Sequence, residues 1–104
     1  MPPFLVLKAA KFRLDDIYRY TLDEWGKSQA EKYIRGLFQQ FADIAEENAI
    51  SRPIPAEFGV DGYVSRYEKH FVYWKILSTG QIGIVTVLHQ RMHKIERFKD
   101  DFDL

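Results

Sequence analysis

Two histidines near the end of the chain, His89 and His93, have a spacing that could support metal chemistry. Four residues apart, they would share one face of a helix, as pairs of zinc ligands do. The chain has no cysteine, however, and no glutamate stands at the general-base position of an H-E-x-x-H motif. We therefore predict no metal site, and we expect His89 to cap or pack at a strand end while His93 is exposed.

A run of basic residues surrounds these histidines. Residues 89–99 contain four Lys or Arg against a single Glu. Four more basic side chains precede them in the chain: Arg66, Lys69, His70 and Lys75. Lys and Arg can hold a phosphate group and stabilise its charge, and a histidine can transfer a proton. The same composition also fits a solvated helix face that binds nothing, so both interpretations stay open at this point.

The adjacent acids Asp15 and Asp16 resemble a carboxylate pair for acid–base catalysis. Neighbouring residues of a helix point about 100° apart, so the two carboxylates cannot act on one substrate. We expect both side chains to face solvent and to form i, i+4 pairs with Lys11 and Arg19.

The whole chain of 104 residues is electrically neutral, with 15 Lys or Arg and 15 Asp or Glu. A neutral protein has no global field that draws it to nucleic acid or anionic membrane, so we expect no sequence-specific nucleic-acid binding. No apolar run approaches the roughly 20 residues of a membrane span, and the first residues lack the charged region of a signal peptide. We expect one cytoplasmic domain, residues 1–104, without disulfides.

Hydrophobic periodicity predicts two helices after a short first strand at residues 4–7. Apolar residues at helical spacing run from Ala10, and Gly26 suits a helix end that needs a positive φ. A second apolar stripe covers residues 28–48 and opens with a capping box formed by Ser28 and Glu31. Because the connection is so short, the helices should form an antiparallel hairpin.

Three strands are predicted in the second half of the chain. Pro53 and Pro55 end the helical pattern, and a loop follows as far as Gly62. β-Branched and aromatic residues then predict strands at 63–69, 71–77 and 82–88. Apolar residues from Met92 onward recur at helical spacing and predict a short C-terminal helix. The sequence therefore predicts an α+β fold in the order β-α-α-β-β-β.

Consecutive aromatic residues mark the middle of these strands. Phe71 and Tyr73 must face opposite to Trp74 because side chains alternate along a strand. We expect one of these sets to lie away from the helices, exposed, where a large apolar patch would mark a partner site. We assign Trp25, at the end of the first helix, to the core, and contact with a partner is the alternative interpretation.

Three motifs resemble the RelE/ParE toxin superfamily, and more closely its ParE branch, across nearly the whole chain. They are A-x-x-x-L-x-D-I from Ala10, W-G-x-x-Q-A from Trp25 and V-L-H-Q-x-M from Val87. Each is weak alone, but the combination in this order is specific. The resemblance implies a helical hairpin packed on a small antiparallel sheet, in agreement with the element order that periodicity predicts.

The resemblance also implies a function. It implies a non-enzymatic toxin without a cofactor that binds DNA gyrase, and a ParD-like antitoxin whose extended C-terminal segment wraps around the toxin and neutralises it. The target-binding residues are then predicted to be His89, Arg91, Met92 and His93. The antitoxin is predicted to contact Trp25, Phe71 and Tyr73. ParE-like chains commonly carry an acidic or small residue where this chain has His93, so we expect this part of the C-terminus to differ.

The other branch of the superfamily cleaves mRNA on the ribosome, which gives an alternative function. Its catalytic set would be Arg66, Lys75, Arg91 and His93, with His93 as the acid or base. Such nucleases usually carry a basic excess, because phosphate contacts dominate RNA affinity, whereas this chain is neutral. Phe98 also stands near the place of a catalytic tyrosine and has no proton to give. We favour gyrase as the target; a domain that binds its antitoxin but has lost toxicity is a third possibility.

Overall fold

The computed structural model describes residues 4–92, which form two helices on one face of a five-stranded sheet. The helices are α1 (Lys8–Trp25) and α2 (Lys27–Ala45). The strands are β1 (Phe4–Val6), β2 (Arg52–Pro53), β3 (Tyr63–Tyr67), β4 (His70–Ile76) and β5 (Ile82–His89). The α+β class is confirmed. The predicted C-terminal helix lies outside the described residues except for Met92, which ends the 3-10 turn Gln90–Met92.

The sheet is mixed, which corrects the expectation of an antiparallel one. Its strands lie in the order β1-β5-β4-β3-β2, and β1 runs parallel to β5 while the other pairs are antiparallel. The parallel pair joins Phe4 to Ile82, so the whole helical hairpin and three strands separate the partners in sequence. The short strand β2 replaces part of the predicted loop, and Pro53 is tolerated there because β2 is an edge strand.

A single residue, Gly26, joins the two helices. Its φ of 90° ends α1, where its N–H donates to the carbonyl of Leu22, and α2 begins at the next residue. The predicted positive φ is confirmed. The capping box of Ser28 and Glu31 is wrong, because α2 starts one residue earlier and no side chain caps it. Ser28 therefore lies inside the first turn, and its hydroxyl is not at the capping position.

The main core fills the space between the helical hairpin and the sheet. Its buried residues come from both helices and from the two central strands: Ala10, Leu14, Ile17, Leu37, Phe41, Ile44, Val72, Ile84 and Val87. Trp74 packs against this core from the same sheet face, and its indole N–H donates to the Ser51 hydroxyl at 3.1 Å. Burial of this apolar stripe is what fixes the hairpin on the sheet.

The opposite face of the sheet is also buried. Ile54, Tyr73, Val85 and Leu88 form a second cluster there, and Phe58 and Val60 pack over it. We call residues 54–60 the cover loop. A β-bulge between β4 and β5 skips Val85, so that Ile84 and Val87 both face the helices although they are three residues apart. Consequently β5 is buried on both faces along most of its length.

Candidate functional site

The site is built where the turn between β3 and β4 meets the end of β5. His70 on β4 is the register partner of His89 on β5, and Glu68 in the turn has a φ of 51°. The chain leaves β5 through a 3-10 turn whose first amide, that of Gln90, donates to the carbonyl of Lys69 at 2.9 Å. We call residues 66–70 and 89–91 the tip of the sheet. It places the predicted target-binding segment next to the β3–β4 turn.

Arg66 connects the two halves of the tip. Its Nε donates to the carbonyl of Glu68 at 3.0 Å, and its Nη2 donates to Gln90 Oε1 at 3.1 Å. The guanidinium carbon lies 5.8 Å from the centre of the Phe71 ring, a cation–π distance. Arg66 itself is exposed, so these contacts are made at the surface.

A histidine–tyrosine cluster supports the tip from below. The hydroxyl of Tyr33 on α2 lies 2.6 Å from His70 Nδ1, and the rings of His70 and His89 meet edge to face with centroids 5.2 Å apart. Tyr67 packs edge to face on Tyr33 with centroids 5.3 Å apart. The cluster therefore ties α2 to the ends of β4 and β5.

The protonation of this cluster follows from its burial. Burial, and secondarily the neighbouring His89, lower the pKa of His70 from 6.5 to about 4. Burial raises the pKa of Tyr33 to about 12, despite a hydrogen bond with the backbone of Lys69 that acts the other way. At neutral pH the Tyr33 hydroxyl is therefore protonated and His70 is neutral, and one hydrogen bond joins the hydroxyl to Nδ1.

His89 is held in a similar way. Its Nδ1 accepts the backbone N–H of Arg91 at 3.1 Å, which confirms the expectation that it caps or packs at the strand end. Burial first, and then the charges of Arg91 and Lys69, lower the pKa of His89. Both histidines of the tip are thus neutral hydrogen-bonding groups at neutral pH. Neither one carries the proton that a general acid must give.

The structure brings together some of the residues of the alternative catalytic set and not others. Arg66 bonds to Gln90, the neighbour of Arg91, so both arginines belong to the tip. Lys75 pairs with Gly83, five residues along β4 from His70, which places it about 16 Å from the tip. His93 lies outside the described residues. Lys75 therefore does not join a phosphate-binding cluster with the two arginines.

Sequence patterns did not identify two residues of this site, Gln90 in the tip and Tyr33 in the cluster that supports it. Tyr33 was assigned only to the apolar stripe of α2, and Gln90 appeared only as part of a motif. The signal for Gln90 was present, since it lies between His89 and Arg91 in the V-L-H-Q-x-M motif. No sequence signal linked Tyr33 to His70, because 37 residues separate them.

The aromatic residues of β4 do not form an exposed patch. The predicted alternation is confirmed, since Trp74 faces the helices while Phe71 and Tyr73 face away. The expected exposure of Tyr73 is wrong: its side chain is only 1% exposed. The cover loop and Phe71 shield it, because a sheet face this apolar is stable only when it is removed from water.

The exposed apolar surface lies instead on the helical hairpin. Trp25 is 71% exposed, so its assignment to the core is wrong. On the same side of α1 a groove of about 420 Å³ runs between the helices; its apolar lining is Val6, Leu14, Tyr18, Ile34 and Phe38. Lys11 and Asp15 line its polar edge, and Asp15 forms the predicted pair with Arg19 at 3.7 Å.

Residues 4–92 hold neither a cluster of metal ligands nor a membrane-spanning helix. No group of three or more potential metal ligands occurs among these residues. No helix in the same part of the chain is both long and apolar enough to cross a membrane.

Comparison with known proteins gives the family. Residues 5–94 match the family described as the ParE toxin of the type II toxin-antitoxin system, parDE. Toxin ParE1 of Mycobacterium tuberculosis is 33% identical over 94 residues, which are 86% of this chain and 90% of that protein. Toxin ParE of Escherichia coli is 29% identical over 96% of both chains, and Toxin ParE1 of Caulobacter vibrioides is 30% identical over 89% of this chain and 94% of that protein. The chain therefore belongs to the ParE toxin family of type II toxin-antitoxin systems.

Proposed function

We propose that this toxin inhibits DNA gyrase by direct binding through the tip of the sheet, without catalysis, and that a cognate antitoxin neutralises it from the helical hairpin. Membership of the family supports a toxin that is paired with an antitoxin. The observation that carries the target assignment is the tip itself. The Lys69 carbonyl and the His89 ring fix the turn of the tip that carries Arg91. This turn is therefore a preorganised binding segment.

The chemistry of the tip favours binding over catalysis. His70 and His89 have lowered pKa values and are neutral hydrogen-bonding groups, and Lys75 lies at the far end of β4. An RNA-cleaving site would need a phosphate-binding cluster with a proton donor and acceptor within hydrogen-bond reach. We therefore do not propose cleavage of translated messages as a second function.

The target site is tested by changing Arg91 in the tip together with Met92, the next residue of the chain. We expect the double substitution Arg91→Ala, Met92→Ala to raise the toxin dose required for growth arrest by about tenfold. A few central residues usually carry most of the binding energy of an interface. Growth of cells that express each variant at a matched level, with and without the antitoxin, is the measurement.

The matched control is Arg19→Ala, an arginine that is equally exposed but lies on α1 and pairs only with Asp15 among the contacts described. It should arrest growth like the unchanged toxin. Full arrest by the Arg91→Ala, Met92→Ala variant would remove the target site from the tip.

The antitoxin surface is placed on the hairpin because exposed apolar side chains gather there. Trp25, Leu22 and Phe38 are 71%, 38% and 42% exposed, and Phe38 lines the groove between the helices. Such a surface is costly to leave in water and typically marks a partner site. In this proposal Trp25 keeps its predicted role as an antitoxin contact. Tyr73 and Phe71 lie under or beside the cover loop, and they would contact a partner only at the edge of that loop.

A matched pair of aromatic residues tests this surface. We expect Trp25→Ala to weaken antitoxin binding by about tenfold or more, because exposed tryptophans at partner sites are frequent binding hot spots. Tyr20 is 65% exposed on the same helix. It precedes Trp25 by five residues, which places it about 140° around α1 from Trp25, so Tyr20→Ala should bind the antitoxin normally. Titration calorimetry with the purified antitoxin measures both. Equal affinities for the two variants would contradict the proposed surface.

A further inference from the structure

The segment that follows β5 is held by contacts from the β3–β4 turn, not from the core. The backbone of Gln90 is bound by the carbonyl of Lys69, and its side chain is bound by Arg66. Arg66 also donates to the carbonyl of Glu68 in the same turn. A single guanidinium therefore fixes both the turn and the segment that leaves β5.

The geometry of the two contacts requires an arginine. Nε and Nη2 lie in one plane and donate at 3.0 and 3.1 Å in two directions, to a backbone carbonyl and to a side-chain amide. A lysine has one ammonium on a flexible stem and lacks this planar fork. Stacking on the Phe71 ring further restricts the guanidinium.

Arg66 is not needed to hold the fold together. It is exposed and belongs to neither of the two buried clusters. The backbone ladder between β3 and β4 extends from Tyr63 and Trp74 to Tyr67 and His70 without its side chain. The contacts of the guanidinium are directed to the turn and to Gln90, which is the part of the tip proposed to meet the target.

We propose that Arg66 is a positioning residue, and that its bond to Gln90 fixes the conformation in which His89, Gln90 and Arg91 are presented to the target. This rests on the proposed function, since it assumes that the tip contacts gyrase. In the absence of this bond the side chain of Gln90 is free to rotate, and the turn from β5 keeps its backbone contact to Lys69 and the contact of the Arg91 N–H to His89 Nδ1. The segment must then lose conformational entropy when it binds, which weakens the affinity for the target.

The test uses the full chain with the substitutions Arg66→Lys, Arg66→Ala and Gln90→Ala. We expect each to raise the toxin concentration that half-inhibits gyrase by roughly five- to tenfold, the scale of one ordinary intramolecular hydrogen bond. The double variant Arg66→Ala, Gln90→Ala should be no worse than either single one, because both substitutions remove the same contact. Arg52→Ala, an exposed arginine on β2 at the edge of the same sheet, is the matched control.

Three readouts separate positioning from a loss of structure. Unfolding midpoints and antitoxin affinity should match those of the unchanged protein, because the core and the hairpin are not touched. Hydrogen exchange of the Gln90 amide should become faster in the Arg66 variants. In a Gln90→Glu background, Arg66→Lys should restore inhibition relative to Arg66→Ala, since an ammonium can pair with the new carboxylate.

The outcomes are distinct. Inhibition by Arg66→Ala equal to that of the unchanged toxin overturns the inference, and so does a parallel loss of antitoxin affinity or stability. If the unchanged toxin leaves gyrase fully active, the proposed function fails, and exchange of the Gln90 amide then decides the inference. Unaltered exchange in Arg66→Ala would show that Arg66 does not position the segment.

Discussion

At the scale of single residues, the tip is organised by side chains whose protonation is set by burial. Tyr33 is hydrogen-bonded to His70, and His70 packs on His89, so a half-buried neutral pair lies beneath the proposed target-binding segment. His70 is kept uncharged because water is largely removed from it and because a charge on His89 would repel its own. The same arrangement makes the fold sensitive to acid.

The folded protein should lose stability as the pH falls from about 6.5 to about 4. His70 has a folded pKa of about 4 and an unfolded value of 6.5, so in this window the unfolded chain binds a proton that the folded chain does not. Its contribution is complete above pH 6.5 and is lost below pH 4. We expect on the order of 1–2 kcal/mol, after discounting for partial exposure.

Urea unfolding at pH 7.0, 5.5 and 4.5 measures this loss. In His70→Gln the slope across the window should be smaller, because only the lowered pKa of His89 then contributes with the same sign. Tyr33 and Tyr67 face His70 from α2 and β3 but do not titrate in this range, since burial raises the pKa of each. An identical pH slope for the variant and the unchanged protein would contradict the assignment to His70.

At the scale of elements, the cover loop explains why both faces of the sheet can be apolar. The loop places Ile54, and Phe58 at the end of a 3-10 turn, against Tyr73, Val85 and Leu88, so the far face is shielded on the side opposite to α1 and α2. Ser65 and Gln40 hold the chain that leads into the loop, since Ser65 donates to the carbonyl of Ile50 and accepts from Gln40. This loop, and not an antitoxin, accounts for the burial of Tyr73.

Two isoleucines at the start of this region should behave very differently. Ile54 is 7% exposed and Ile50 is 85% exposed. We expect Ile54→Ala to lower the free energy of unfolding by about 2–4 kcal/mol, the usual cost of truncating a buried isoleucine. Ile50→Ala should change it by less than about 0.5 kcal/mol. Chemical denaturation of both variants is the measurement, and similar values for the two would mean that the loop does not cover the sheet.

The elements also show what could be predicted from the sequence. Period and turn residues placed α1, α2, β3, β4 and β5 correctly, because these patterns report local structure directly. They could not show that Phe4 pairs in parallel with Ile82, since such a contact depends on chain segments far apart. Nor could they show the bulge at Val85, which shifts the alternation of faces by one residue.

The candidate site was less predictable than the fold for a related reason. The V-L-H-Q-x-M motif drew attention to the segment that forms part of the tip, but its contacts to Arg66 and to the Lys69 carbonyl come from another hairpin. Trp25 was misplaced in the core because its position follows the apolar spacing of α1, although it lies in the last turn beyond the reach of the sheet. Helical spacing alone does not show where along a helix the contacts with the sheet end.

At the scale of the whole molecule, the exposed apolar groove and the polar tip lie on different elements. The groove is formed mainly by α1 and α2, whereas the tip is formed by the ends of β3, β4 and β5. With the target site proposed at the tip and the antitoxin site on the hairpin, we expect that the two kinds of binding can be altered separately by substitution. The chain is neutral as a whole, so in this proposal specific contacts at the tip, not a long-range field, provide the affinity for the target.

The most direct test of this account is gyrase activity in the presence of the purified toxin. Relaxed plasmid, ATP and gyrase are incubated with the folded chain, and supercoiled, relaxed and linear DNA are separated on a gel. The account predicts loss of supercoiling or accumulation of linear plasmid, both abolished by the antitoxin. Full supercoiling with an excess of folded toxin would contradict it, and cleavage of translated messages would then be the activity to measure.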